Sequence, residues 1–125
     1  MQVFILGCGA IGSNLALELA RRAFSTSTYL DIVLLDYDIV EKRNLAAQAF
    51  LPKHIGLPKV DAVEDLIRGF SDISVSKLNL KLTEESLPEI VNFVNSSNET
   101  SILVDCFDNL DARNLTWKLG QVLDI

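Results

Sequence analysis

Met1 to Ser13 reads MQVFILGCGAIGS, and no other stretch narrows the possible folds as far. Gln2 to Leu6 is an apolar run of residues that favour strands, and Gly7 stops it. Gly7, Gly9 and Gly12 then fall at G-x-G-x-x-G spacing. Ile11, Leu15 and Leu19 follow at helical spacing, with Ala16, Ala20 and Ala23 widening the same face. Strand, glycine turn and helix in immediate succession is the context in which this spacing points to a phosphate-binding turn. Gly7 can make the tight turn, Gly9 lets backbone approach a phosphate, and Gly12 lets the helix lie close on the strand. The helix that starts there offers free N–H groups and the positive end of its dipole to an anion.

The pattern repeats along the chain. Tyr29 to Leu35 reads as a second strand, apolar enough to be buried on both faces and ending at Asp36-Tyr37-Asp38. Ile39 to Leu51 has no clean period, and a short helix is expected around Asn44 to Phe50 before Pro52 and Gly56-Leu57-Pro58 punctuate the chain. From Lys59, the spacing of Val60, Val63, Leu66, Ile67 and Phe70 predicts an amphipathic helix. Ile73 to Leu80 reads as a third strand, and Thr83 as the N-cap of a helix with Glu84 and Glu85 in its first turn. Leu87, Ile90, Val91 and Val94 give that helix its apolar stripe. Ile102 to Cys106 is the fourth strand, and a fourth helix runs from Asn109 through Leu115, Leu119 and Val122.

Four strand–helix units argue for a parallel sheet with helices on both faces. Right-handed crossovers and the glycine turn make it an α/β Rossmann-like three-layer sandwich with strand order 3-2-1-4. Residues 1–125 are read as a single domain, either an excerpt of something larger or one whose open fourth strand a partner covers. A formal charge of −6 argues against a broad nucleic-acid surface or adhesion to an anionic membrane. It leaves ATP open, since a local nest of N–H groups and one lysine outweigh a distant net charge. No segment reaches the roughly 18 apolar residues that span a bilayer. Two cysteines are no disulfide framework, and with no leader expected before the first strand a reducing cytoplasm is the simplest location.

In a doubly wound sheet the ligand lies beyond the carboxyl ends of the strands, beside the first. Four polar groups collect there: the glycine loop, Asp36 with Asp38, the segment at Lys59, and Asp105 with Asp108. Asp36 stands roughly 20 residues or slightly more past the last glycine, where an acid binds ribose hydroxyls. That much fits NAD, FAD, S-adenosylmethionine or ATP alike. Asp38 fits either a solvated turn or a ligand contact. Lys59 opens a helix, where a cation opposes the dipole, and an anion nearby would explain it. Asn109 can cap the helix that follows, and of Asp105 and Asp108 one is left for Mg²⁺, which takes one or two carboxylates plus phosphate oxygens.

Four ordered blocks carry a resemblance: GCGAIGS at 7–13, LLDYDIVEKRNLAAQ at 34–48, HIGLPKVDA at 54–62 and VDCFDNLDARN at 104–114. Together they resemble the ThiF/MoeB-type superfamily, the adenylating domain of ubiquitin-activating enzymes. The resemblance implies MgATP-dependent adenylation of the C-terminal carboxylate of a ubiquitin-like protein or a sulfur carrier, by a homo- or heterodimer. It places Gly7, Gly9, Gly12 and Ser13 in the phosphate loop, Asp36 on the ribose with Asp38 beside it, and Asn44, Gln48 and Lys59 on the phosphates. Asp108 would hold Mg²⁺, Asn109 would sit near adenine or phosphate, and Lys59 with Asp108 would carry the catalysis.

The chain departs from that pattern at Ala47, where the family usually has an arginine; Arg43 is the nearest replacement cation. Paired Cys-x-x-Cys motifs and a thioester-cysteine segment are absent from the sequence. Cys8 and Cys106 are expected to be small buried thiols, and His54 a surface or capping residue. Two rivals therefore stand beside adenylation. One is a degenerate homologue that binds nucleotide or protein without catalysis, and the other an NAD-dependent oxidoreductase using the same loop and Asp36.

Overall fold

The computed structural model describes residues 1–70 and 72–125. Its elements are β1 (Gln2–Leu6), α1 (Ala10–Ser25), β2 (Leu30–Leu35), α2 (Lys59–Ile67), β3 (Ile73–Leu78), α3 (Leu87–Asn95), β4 (Ser101–Asp105) and α4 (Leu110–Leu123). All pairings are parallel, in the order β3-β2-β1-β4, so the expected topology is the observed one. The register puts Leu6 level with Leu35 and with Asp105, and Leu35 level with Leu78. The carboxyl ends of all four strands therefore open on one edge.

Period-two alternation divides the core into two layers. Val3, Ile5, Ile32 and Leu34 pack with α1 and α2, while Phe4, Leu6, Val33 and Leu35 pack with α3 and α4. β1 is buried along its whole length, as a central parallel strand between two helix layers must be.

The buried stripe of α1 is not the one its large residues predict. Gly12, Ser13, Ala16, Ala20 and Ala23 face the sheet, whereas Ile11 is 63% exposed. A Cβ at Gly12 would stand 1.8 Å from the Gly7 carbonyl oxygen, so α1 approaches too closely for anything but small side chains on its inner face.

Three boundaries also shift for local reasons. The helix expected over 44–50 is instead two short 3₁₀ turns, Lys42–Ala46 and Pro52–His54. Side chains hold them: Asn44 Oδ1 accepts the Glu41 N–H at 2.7 Å and His54 Nδ1 accepts the Leu51 N–H at 2.9 Å. Thr83 and Ser86 exchange hydrogen bonds across a turn, and α3 starts only after it, with Pro88 in its first turn. Val122, expected on the inner stripe of α4, is exposed together with Trp117 and Leu110. Trp117 and Leu110 flank a hollow of about 990 Å³ along β4 and α4, where the sheet has no further strand among the described residues.

Candidate functional site

A cleft of about 790 Å³ occupies the carboxyl edge, within the size range of small-molecule sites. Its floor is the glycine loop. Gly7 sits at φ +99°, and a Cβ there would press within 3.1 Å of the Cys106 carbonyl oxygen, so the turn is open only to glycine. Gly9 is the N-cap of α1 and no side chain caps that helix, nor is there an acid in its first turn. The leading N–H groups of α1 thus remain turned to the cleft.

Asp36 welds this loop to β2. Its Oδ2 accepts the Cys8 N–H at 2.7 Å and its Oδ1 accepts the Asp38 N–H at 2.8 Å. Each carboxylate oxygen keeps a lone pair for a ligand hydroxyl. Lys59 arrives from farther along the chain. Ile39 and Pro58 form an antiparallel bridge, Val40 and Leu57 are hydrogen bonded, and the Lys59 N–H donates to the Asp38 carbonyl at 2.9 Å. This clasp brings α2's first residue back to the end of β2.

The side chains there are under-satisfied. Lys59 is 7% exposed, and the one carboxylate paired with its Nζ among the described residues is Asp38, whose Oδ2 lies at 3.8 Å, beyond hydrogen-bond range. Gln48 Oε1 is buried with no hydrogen-bond partner among the described residues. A buried amide oxygen left this way costs free energy unless something else meets it, and the Lys59 ammonium makes no hydrogen bond among the described residues. Both line the cleft, next to Gly7 and Gly9.

On the far side, Asn109 Oδ1 accepts the Ala112 N–H at 2.8 Å and caps α4, leaving its amide N–H groups on the cleft. Asp105 is used internally, accepting the Phe107 N–H at 3.1 Å with Arg113 at 3.6 Å. Asp108 lines the cleft and makes no hydrogen bond or ion pair among the described residues. Among the described residues no three metal-ligating side chains cluster there, so a divalent ion needs a ligand's oxygens to complete its shell.

The cleft brings together Gly7, Gly9, Asp36, Asp38, Gln48, Lys59, Asp108 and Asn109. Three of the sequence candidates stand outside its lining. Gly12 is consumed by the close helix–strand contact. Ser13 is fully buried, donating to the Gly9 carbonyl at 2.6 Å and accepting the Ala49 N–H at 3.0 Å. Asn44 serves its own turn, as described above. Ala47 is exposed, and Arg43 is spent on Glu41 at 2.7 Å, also exposed, so neither brings a cation to the cleft. Sequence reading missed Tyr37 and Lys81, which do line it; the only signal was their place after β2 and β3.

Neither cysteine is a nucleophile near neutral pH. Burial first, and then the negative charge of Asp36, pushes the Cys8 thiol far above its ordinary range, and burial likewise raises Cys106. His54 is buried rather than on the surface, and it caps as expected. Its Nδ1 accepts a backbone N–H, so Nε2 carries the proton toward Asp65 Oδ2 at 2.8 Å.

The same fold recurs in known proteins. A solved structure of E. coli MccB with ATP superposes with a TM-score of 0.71 at 30% identity, covering 95% of this chain and 33% of that one. E. coli TcdA, a tRNA N6-threonylcarbamoyladenosine dehydratase, matches in fold with a TM-score of 0.82 at 21% identity, covering 99% and 48%. The molybdopterin-synthase adenylyltransferase of Haemophilus influenzae is 30% identical over 115 residues, which is 90% of this chain and 43% of that protein. Ubiquitin-like modifier-activating enzyme 5 of Caenorhabditis elegans is 30% identical over 117 residues, 89% of this chain and 27% of that protein. The chain thus spans between about a quarter and a half of the length of these four proteins. No helix among the described residues is long and apolar enough to cross a membrane. Glycine turn, strand order and the cleft beyond the strand ends agree with a family match that runs over residues 1–119, and the chain belongs to the ThiF family.

Proposed function

We propose that residues 1–125 form a ThiF-like nucleotide-binding unit that holds ATP with Mg²⁺ for adenylation of a ubiquitin-like or sulfur-carrier protein at its C-terminal carboxylate. The observation that carries this reading is Gln48 Oε1, buried without a partner among the described residues at the mouth of the glycine loop, with the Lys59 side chain lining the same cleft. Support comes from relatives named as an adenylyltransferase and a modifier-activating enzyme, and from a relative solved with ATP. The work is placed in the cytoplasm and in a homo- or heterodimer.

In this reading the α1 N–H groups and Lys59 hold the phosphates, and Asp36 meets the ribose. Asp108 suits Mg²⁺, because its carboxylate is a hard oxygen donor that nothing else in the described chain engages. When bound, the ion neutralises phosphate charge. The chain's own contribution is to keep the α-phosphorus in line with an incoming carboxylate and to meet negative charge on the phosphate oxygens as pyrophosphate leaves. The cleft needs that neutralisation, since Asp36, Asp38, Glu84, Asp108 and Asp111 line it against only Lys59 and Lys81.

A second reading keeps the nucleotide and drops the chemistry. It is favoured by Ala47 and by Arg43, which turns to Glu41 instead of the cleft. The deciding experiment is exchange of labelled pyrophosphate into ATP with candidate carrier proteins, beside titrations with MgATP, metal-free ATP and NAD. Exchange lost in Asp108→Asn supports adenylation; magnesium-dependent ATP binding without exchange supports the binding module. A preference for NAD over MgATP would sink both.

A further inference from the structure

Gln48 lines the cleft from a segment that belongs to no helix or strand, so no ladder of backbone bonds fixes the direction of its side chain. Two consecutive residues of α1 do so instead. Ser13 Oγ donates to the Gly9 carbonyl at 2.6 Å and accepts the Ala49 N–H at 3.0 Å. Asn14 Nδ2 donates to the Ala10 carbonyl at 2.7 Å and to the Ala47 carbonyl at 3.1 Å. Each side chain bonds back to the carbonyl four residues earlier, which orients it, and turns its remaining lone pair or N–H across to residues 47–49.

The Ala47 carbonyl lies in the peptide plane before the Gln48 Cα, and the Ala49 N–H in the plane after it. With both planes held, little freedom is left in φ and ψ at Gln48, and these angles set where its Cβ points. Within the segment's own turn, the Ala47 and Gln48 N–H groups donate to the Asn44 carbonyl; nothing else among the described residues hydrogen-bonds to 47–49. In this setting Gln48 Nε2 lies 3.8 Å from where a Cβ on Gly9 would stand, and Oε1 is buried without a partner among the described residues. The amide is thus placed over the glycine loop before any ligand arrives, and such pre-organisation strengthens binding by lowering the cost of ordering.

We propose that Ser13 and Asn14 are positioning residues of the nucleotide cleft, acting through the backbone on both sides of Gln48 to hold its amide at the glycine loop. The inference rests on the nucleotide reading given above, and it puts Ser13 and Asn14 behind the site, out of contact with the ligand.

A double-mutant cycle between Asn14 and Gln48, read by calorimetric titration with MgATP, tests it. Asn14 is exposed, and Asn14→Leu removes its N–H donors while favouring the helix, so the variant should remain folded. Gln48→Met keeps the length of the side chain and drops its amide. Each single variant should weaken MgATP binding, Asn14→Leu by about fivefold; in the Gln48→Met background the same change should weaken it less than about twofold. Ser13→Ala should follow the same pattern, losing its effect once the amide is gone. A merely structural role would weaken binding equally in both backgrounds, and that result overturns the proposal. An Asn14→Leu variant that binds like the wild type also overturns it, as does a Gln48→Met variant that does so, since nothing would then be positioned. In these cases binding by the wild-type chain leaves the nucleotide reading intact. If the folded wild-type chain binds no MgATP, the nucleotide reading itself has failed and this inference with it.

Discussion

Asp36 Oδ2 accepts the Cys8 N–H at 2.7 Å, joining residues 28 apart in sequence and tying the glycine loop to the end of β2. The other oxygen holds the Asp38 N–H, which begins the clasp to Lys59. Asp36 is therefore a structural acid before it meets any ligand. Asp36→Ala removes two charged hydrogen bonds from a buried site and should cost about 2–4 kcal/mol, and Asp36→Asn about half that. Urea unfolding measures both; equal stability in all three proteins would show that the two bonds are idle.

Lys59 should show the opposite balance. Its side chain is largely buried, its ammonium makes no hydrogen bond among the described residues, and the neighbouring carboxylate, Asp38, is exposed enough to stay solvated alone. Lys59→Met should raise folding stability by about 1 kcal/mol and weaken MgATP binding by more than about tenfold. A thermal melt and a binding titration on the same sample decide. A variant that loses stability together with binding would make Lys59 a packing residue only.

The three glycines of the loop should separate by role. Gly12→Ala drives a Cβ into backbone at 1.8 Å, where no side chain can rotate away, and should cost about 3 kcal/mol or more. Gly9→Ala meets nothing closer than Gln48 Nε2 at 3.8 Å, so it should fold normally. Its methyl then stands between the loop and an approaching phosphate and should weaken nucleotide binding. Gly69→Ala, with nothing within 4 Å, is the control for both. Circular dichroism and titration of the set would refute the assignment if Gly9→Ala unfolded or Gly12→Ala did not.

Asp65 gives an acid limb to stability. Its hydrogen bond from His54, and next that from Lys53, lower its pKa from the ordinary 3.8 to about 2. The folded pKa lies below the unfolded one, so the stabilisation is complete above pH 3.8 and is lost as the pH falls toward about 2. The loop carrying His54, which closes over α2, should loosen first. Asp65→Asn should be less stable at neutral pH and should lack this limb when far-UV dichroism is followed down the acid range. Superimposable acid curves for the two proteins would rule the coupling out.

Period and spacing made the sheet legible. The apolar runs at 2–6 and 30–35, the glycine spacing and four strand–helix units were enough for the strand order. The inner face of α1 was not, because the usual weight given to Ile11 and Leu15 assumes ordinary helix–sheet distances, and Gly12 shortens them. The helix expected over 44–50 does not form, since the turns at 42–46 and 52–54 depend on Asn44 and His54 side-chain bonds that no hydrophobic period records. At the site, Lys59 was readable from its place at a helix start and Gln48 only through the family resemblance, but the Asp36–Cys8 bond and Lys81's place on Tyr37 depend on strand register. Ser13 looked like a ligand contact and proved to be a pin between the loop and Ala49.

The two walls of the cleft are unequally anchored. Asp36 and Lys59 hang from β2 and the clasp behind it, with strands on both sides. Asp108 follows β4, which among the described residues is laced to the sheet only through β1. A neighbour docked along the bare flank of β4 would reposition one jaw against a stationary other.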